Sequence, residues 1–292
     1  MLPHPFQAAL SDKTGGDHLM ELFKTEKVTD HLMRIRTPFG VSMFLAHGTE
    51  KALLIDTGMG IGDLKSFIEN TVSTPYEVVL THGHCDHAGG TVQFEKVYLN
   101  EKDFELEKWH AAREHRISDV FTSPFPVPEG ISEDDFVPQR TEPYTLLDPD
   151  KVFDLGGCTV SFIEVPGHTQ GCLVPLIQED RVMIIGDALG ENTLMHFKES
   201  STVETYRRSI EKLIAVQDDY DLLIRFHGNG ASEHRILEDM HDLCGEIMEH
   251  RDAALPAVMM GFEGCWAREK EHPGKAGNMI YNPKRIYDEV DA

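Results

Sequence analysis

Four potential metal ligands lie within six residues of one another, in the segment His-Gly-His-Cys-Asp-His. They are His82, His84, Asp86 and His87, and they follow an apolar run that ends at Leu80. Side chains alternate along a strand, so His82 and His84 at a strand end can point to the same side, and the turn that follows can aim Asp86 and His87 at a neighbouring point. One short segment can therefore serve two adjacent metal ions.

Three further candidates each follow an apolar run elsewhere in the chain: His168, Asp187 and His227. A single His or Asp after a strand is usually a turn residue or a hydrogen-bonded polar group. Combined with the first cluster, these three instead indicate one site at the carboxyl edge of a sheet, where polar residues from separate strands meet.

The chemistry of these side chains favours zinc, because imidazole and carboxylate suit this ion and a site with open positions is catalytic. Five His and two Asp exceed what one tetrahedral ion can use, so the set predicts two Zn²⁺ about 3.5 to 4 Å apart. Zinc lowers the pKa of bound water to about 7, which makes a metal-bridging hydroxide the expected nucleophile and Asp86 the catalytic group that relays its proton. Iron or manganese can occupy the same ligands.

These motifs resemble those of the metallo-β-lactamase-fold hydrolases, over nearly the whole span from residue 28 to residue 230. Asp56, in Leu-Leu-Ile-Asp-Thr-Gly, looks like the first motif of the family, the cluster at 82–87 looks like the second, and the segments at His168, Asp187 and His227 look like the remaining three. The resemblance implies an α/β (α+β) fold built as a four-layer αββα sandwich. It also implies the ligand sets: His82, His84 and His168 for one metal, Asp86, His87 and His227 for the other, Asp187 bridging both, and Asp56 orienting a histidine ligand.

Within the family, the resemblance favours the glyoxalase II and lactonase-like branch over the true β-lactamases, because Asp187 stands where the B1 enzymes have a cysteine ligand. The predicted function is a dinuclear zinc-dependent hydrolase acting on a small ester, lactone, thioester or related substrate. The alternative is an iron-dependent oxidoreductase similar to the persulfide dioxygenases, which share the fold. Those relatives use a single iron and need fewer ligands than this chain offers.

Alternating β-rich and helical segments must position these residues. Short runs of β-forming residues, separated by Gly, Pro, Asp and Asn, predict strands at 31–36, 40–47, 51–55, 77–81, 96–99, 151–155, 159–165, 172–177, 181–185 and 221–226. Apolar residues at helical spacing predict helices at 63–69, 101–115, 201–217 and 232–251, the third opened by a capping box at 201–204. The predicted organisation is an N-terminal arm at 1–27, a catalytic core at 28–230, and a C-terminal helix and tail at 231–292 packed on the core or docked across a homodimer.

The segment 121–149 differs from the rest, since its six prolines forbid a continuous helix while its aromatic residues offer apolar surface. Long irregular segments in compact domains are often functional covers. We therefore predict that Phe121, Phe125 and Phe136 line a substrate pocket. His196, nine residues after Asp187, is a further candidate for this lining, with a core or surface position as the alternative.

The net charge of the chain limits the classes of partner that it can bind. The 27 Lys and Arg against 50 Asp and Glu give a net charge of −23. A field of this sign repels nucleic acid and anionic membrane surfaces, so a small-molecule substrate is expected. No apolar run approaches the ~18 to 20 residues of a membrane helix, and the chain start lacks a signal-like pattern, which predicts a cytoplasmic protein. Five widely spaced cysteines are expected to be free thiols.

Overall fold

The computed structural model describes residues 22–123, 126–228 and 230–289. The first half of these residues forms a seven-stranded sheet whose strands follow one another in chain order. Its strands are β1 (Lys24–Lys27), β2 (Leu32–Arg36), β3 (Ser42–His47), β4 (Ala52–Ile55), β5 (Tyr76–Val79), β6 (Tyr98–Leu99) and β7 (Thr145–Leu146). Strands β1 to β4 pair antiparallel and β4 to β7 pair parallel. Parallel neighbours need crossover connections, and helices supply them here.

The second half forms two more sheets. Its strands are β8 (Phe153–Asp154), β9 (Thr159–Glu164), β10 (Leu173–Ile177), β11 (Val182–Ile184), β12 (Asn192–Met195), β13 (Leu222–Ile224), β14 (Ala231–Ser232), β15 (Leu255–Met259), β16 (Phe262–Trp266) and β17 (Asn278–Tyr281). A six-stranded sheet has the order β14-β13-β11-β10-β9-β8, and a four-stranded sheet has the order β12-β17-β16-β15.

Six α-helices lie within the described ranges: α1 (Leu64–Thr71), α2 (Cys85–Ala88), α3 (Phe104–His110), α4 (Arg113–Thr122), α5 (Val203–Ala215) and α6 (Ile236–Met248). The single helix predicted at 101–115 is in fact α3 and α4, which are separated at Ala111 and Ala112. The predicted capping box is also displaced, because Thr202 caps α5 by accepting a hydrogen bond from the Thr205 N–H at 3.1 Å. None of the described helices combines the length and apolar character needed to cross a lipid bilayer.

Three apolar clusters define the layers. Residues of the two large sheets, such as Phe44 and Phe162, pack against each other in the centre. The outer face of the first sheet packs against Leu64 and Ile68 of α1, and that of the second sheet packs against α5 and α6. The order is therefore helix, sheet, sheet, helix, which confirms the predicted αββα architecture.

Both ends of the chain differ from the predicted organisation. In the arm predicted at 1–27, Lys24–Lys27 forms β1 and pairs with β2, whereas residues 1–21 lie outside the described part. The region predicted as a helix and tail contains α6 followed by the hairpin β15–β16 and strand β17. Strand β17 pairs with β12 and β16 of the same chain, so this segment docks within its own chain.

Candidate metal centre

Strand ends place the candidate ligands at one edge of the two central sheets. His82 and His84 follow β5, and His84 precedes the first residue of the short helix α2. His168 follows β9, while Asp187 and His227 follow β11 and β13. Strands β11 and β13 pair in parallel with Ile184 opposite Ile224, so their carboxyl ends emerge side by side.

The structure brings all seven predicted ligands together in two groups. In each group, the potential ligand atoms lie within 4.8 Å of one another. The first group contains His82, His84 and His168; the second contains Asp86, His87, Asp187 and His227. Apart from Asp187, which the resemblance makes a bridge, the two groups have the same members as the ligand sets that the resemblance implies.

Asp187 lies between the two groups. Its Oδ2 is 3.7 Å from His168 Nε2 and 3.9 Å from His82 Nε2 in the first group. The same oxygen is 3.3 Å from the Nε2 atoms of both His87 and His227 in the second group. One carboxylate therefore faces the histidine nitrogens of both groups.

The tautomers of the histidines leave ring nitrogens free for a metal. The Nδ1 of His87 donates to Asp56 Oδ2 at 2.8 Å, and the Nδ1 of His168 donates to the Leu194 carbonyl at 2.7 Å, so both rings keep Nε2 available. The Nδ1 of His82 is 3.1 Å from Thr81 Oγ1. Such outer hydrogen bonds fix the tautomer and ring orientation of metal ligands.

Two features of these nitrogens fit a divalent metal. The buried Nε2 atoms of His82 and His87 have no hydrogen-bond partner within the described part of the chain. In addition, His84 Nδ1 lies 2.9 Å from His168 Nε2, and both rings use their other nitrogen for hydrogen bonds elsewhere. Two nitrogen lone pairs that face each other at this distance require a cation or proton between them, so the donor set fits a metal with imidazole and carboxylate ligands.

The histidines of the two groups differ in the direction of their pKa shifts. Burial, together with the neighbouring histidines, lowers the pKa of His82 and lowers that of His168 to about 4, so both rings are neutral near pH 7. Burial alone would also lower the pKa of His227, but the carboxylates of Asp187 and Asp86 outweigh it and raise that pKa to about 10. The second group therefore favours positive charge at its centre.

Asp56 is buried beneath the site and accepts hydrogen bonds on both oxygens. Besides His87, it binds the Thr81 N–H at 2.7 Å and the Thr81 hydroxyl at 2.8 Å. Its backbone has a positive φ of 67°, which is uncommon for a residue other than glycine. Asp56 therefore joins the end of β4 to the segment that carries His82 and His87.

Sequence reasoning missed two carboxylates that support the site. Glu199 Oε1 accepts a hydrogen bond from His84 Nε2 at 3.1 Å, with both side chains at most 10% exposed. Asp103 binds the Gly83 N–H at 3.0 Å and the Gly171 N–H at 2.8 Å, which ties the segments of His84 and His168 together. Neither residue follows an apolar run directly, so strand-end reasoning had no signal for them.

The predicted substrate-lining residues have different environments. Phe121 is exposed, whereas Phe125 lies outside the described residues. Phe136 is only 3% exposed and packs into an apolar cluster with Met59, Ile61 and Val120; its role in lining the substrate pocket stays a prediction.

His196 is buried, which is the core position given as the alternative for this residue. It is 2% exposed, and its Nε2 donates to the Met259 carbonyl at 3.1 Å. Its neighbour Phe197 takes the place next to the metal centre, with its ring centroid 5.7 Å from that of His84 and 5.8 Å from that of His168. The ring centroids of His196 and Phe197 lie 4.3 Å apart, and a substrate contact by His196 itself stays a prediction.

Comparison with known proteins agrees with this geometry. A sequence profile of the metallo-β-lactamase superfamily matches residues 36–224. The chain belongs to this superfamily. Among solved structures, the metallo-β-lactamase from Pontibacter korlensis superposes with a TM-score of 0.54 at 18% identity, covering 75% of this chain and 97% of the other. At this identity the likeness establishes the shared metallo-β-lactamase fold.

Curated relatives in the superfamily include thioesterases. The acyl-coenzyme A thioesterase MBLAC2 of Homo sapiens is 25% identical over 198 residues, covering 61% of this chain and 68% of the relative. The atrochrysone carboxyl ACP thioesterase of Claviceps purpurea is 24% identical over 234 residues, covering 75% and 62% respectively. The chain is therefore similar to hydrolases of acyl thioesters.

Proposed function

We propose that this superfamily member is a dinuclear zinc-dependent hydrolase of small acyl thioesters. The observation that carries the proposal is the convergence of two ligand groups on the Asp187 carboxylate. A site with seven nitrogen and oxygen ligands on separate strand ends is typical of a catalytic pair of ions. The thioesterase relatives favour a thioester over the other acyl substrates that the same centre can accept.

We assign each group of residues a separate role in the hydrolysis. His82, His84 and His168 would hold one ion, and Asp86, His87 and His227 the other, with Asp187 shared. Bound zinc would supply Lewis acidity for the thioester carbonyl and lower the pKa of a water molecule to about 7. The water oxygen forms a bond to the acyl carbon, the carbon–sulfur bond breaks, and the products are a carboxylic acid and a thiol.

Asp86 is the residue we assign to proton transfer. Its Oδ2 lies 3.2 Å from His227 Nε2 and 3.4 Å from His87 Nε2, so the carboxylate borders the second group. A carboxylate at this place can accept the proton of the attacking water and deliver it to the departing thiolate sulfur. Proton transfer of this kind removes the need to expel a free thiolate.

The test is metal analysis combined with a substrate panel. Protein purified without added metal should contain about two zinc ions per chain and should hydrolyse butyryl-CoA faster than the corresponding p-nitrophenyl ester or lactone. His82→Ala should lose zinc and abolish hydrolysis, because it removes one imidazole from a three-histidine set.

His241→Ala is the matched control, since His241 pairs with Glu211 on α5, away from the ligand groups. It should keep both the metal content and the activity. One iron per chain with oxygen consumption would instead support the oxidoreductase alternative, and full activity of His82→Ala would contradict the proposed centre.

A further inference from the structure

A cavity of about 890 Å³ lies between the four-stranded sheet and the start of α6. Trp266 of β16 and Met259 of β15 line one side, and Arg235 and Ile236 line the side at α6. None of the predicted metal ligands is among the lining residues. The cavity therefore lies outside the two candidate ligand groups.

The charge of this cavity is opposite to that of the whole chain. Five Lys or Arg side chains line it against three Glu, although the complete chain has a net charge of −23. Three of the five are ion-paired: Arg225 with Glu191, Arg235 with Glu233 at 2.6 Å and Lys275 with Asp239 at 3.0 Å. Lys270 forms no ion pair with any residue in the described ranges. A concave site lined by an excess of positive charge focuses its electrostatic field and attracts anions.

Arg225 gives the cavity a partly buried guanidinium group. Its side chain is 14% exposed, and its Nη1 is 2.9 Å from Glu191 Oε1. The side chain of Glu191 is 74% exposed, so this partner can move into solvent. The buried Nε of Arg225 has no hydrogen-bond partner within the described part of the chain. A phosphate group can therefore replace Glu191 as the partner of this arginine.

Two sets of residues connect the lining of the cavity to the candidate metal centre. Arg225 precedes the candidate ligand His227 by two residues at the end of β13. On the other side, the carbonyl of the cavity residue Met259 accepts a hydrogen bond from His196, and the adjacent Phe197 ring contacts His84 and His168. The lining of the cavity is thus connected, through these residues, to side chains of the candidate metal centre.

We propose that this cavity binds the phosphate-bearing end of the thiol carrier whose thioester is hydrolysed at the metal centre. Arg225, Arg235 and Lys270 would bind the phosphates, and the Trp266 indole would offer an aromatic face to a base. This inference rests on the proposed thioester hydrolysis. It deepens that proposal by stating that the carrier is recognised through phosphate, by residues outside the metal site.

The test compares one acyl group on carriers with and without phosphate, in the wild type and in Arg235→Glu/Lys270→Glu. For butyryl-CoA, the double variant should raise KM by about 10-fold or more with little change in kcat, since two favourable charges become unfavourable. For butyryl-N-acetylcysteamine, which has no phosphate, kcat/KM should stay within about twofold of wild type. Butyryl-phosphopantetheine separates the two sources of phosphate, because a raised KM for it assigns the cavity to the pantetheine phosphate and an unchanged KM assigns it to the nucleotide.

Lys65→Glu/Lys212→Glu is the matched control, because it makes the same charge change on α1 and α5. An equal rise in KM for butyryl-CoA in this control would show only an effect of net charge and would overturn the proposal. An unchanged KM in the cavity variant, or an equal loss with N-acetylcysteamine, would also overturn it.

Direct binding separates this inference from the proposed function. Adenosine 3′,5′-bisphosphate and inorganic phosphate, titrated into the wild type by calorimetry, should bind more tightly than to Arg235→Glu/Lys270→Glu. If the two probes bind but no thioester is hydrolysed, the proposed function is refuted and the cavity remains a phosphate-binding site. Hydrolysis of thioesters without binding of either probe would refute the cavity proposal and leave the function standing.

Discussion

At the scale of single residues, the metal centre depends on hydrogen bonds that select one nitrogen of each imidazole. Glu199 is the clearest case, since its Oε1 accepts the Nε2 proton of His84 and leaves Nδ1 to face His168. The donor set alone does not fix which nitrogen is free. Outer carboxylates therefore decide the geometry that the ligands present.

Glu199→Ala should weaken zinc affinity about 10- to 100-fold, the usual effect of removing the outer partner of a ligand histidine. Glu199→Gln should keep most of the affinity, because the amide oxygen can still accept from His84. A competition titration with a zinc chelator measures both. Glu211→Ala is the control, since it removes the carboxylate of another Glu–His pair, 3.0 Å long, on the outer helices. Equal affinity in Glu199→Ala and wild type would show that Glu199 does not position His84.

At the scale of elements, one buried arginine of helix α4 forms hydrogen bonds to two irregular segments. Arg116 is 0% exposed and donates to the carbonyls of Ala111 at 3.0 Å, Met59 at 3.0 Å and Val137 at 2.7 Å. Burial lowers the pKa of this guanidinium. The arginine thus joins the loop after β4 to the segment that follows α4.

Arg116→Met should reduce the free energy of unfolding by about 3 kcal/mol, because several buried carbonyls lose their donor while the apolar part of the side chain is kept. Urea unfolding followed by circular dichroism measures the loss. Arg113→Met, on the same helix, should cost less than about 1 kcal/mol, since its contacts to Glu133 and Phe136 carbonyls are closer to solvent. Equal costs for the two variants would contradict the role given to Arg116.

At the scale of the whole molecule, the metal centre joins the two central sheets. The first sheet delivers the cluster at 82–87, and the second delivers His168, Asp187 and His227. A metal held by ligands from both sheets would be bound only when the sheets are packed together. Metal binding should therefore stabilise the folded chain as a unit.

Removal of metal with a chelator, verified by elemental analysis, should lower Tm. At free zinc about 1,000-fold above Kd, binding contributes about 4 kcal/mol, which corresponds to a shift of about 7 °C for a chain of 292 residues. Differential scanning calorimetry before and after zinc is restored measures this shift. His82→Ala should show a smaller difference in Tm between the forms with and without zinc, because it lacks a ligand of the first group. An identical Tm with and without bound metal would contradict a centre that links the sheets.

The amino-acid sequence by itself determined the α/β class, most strand positions and the seven residues that the structure brings together. This success has a local physical cause. A buried strand is a short apolar run, its period of two sets which side chains share a face, and its polar end residue lies at the sheet edge. His82, His168 and Asp187 were therefore recognisable without knowledge of distant contacts.

Only the tertiary structure decided what surrounds those residues. Glu199 and Asp103 reach their partners across 115 and 20 residues of sequence, and no local pattern marks such contacts. Phe136 and His196 look like pocket residues in sequence, but packing from separate segments buries both. The cavity beside β16 likewise exists because β17 pairs with β12 and places the C-terminal hairpin against the core. Burial and pairing between distant segments are properties of the assembled chain, so they follow from the fold and cannot be obtained from the spacing of residues.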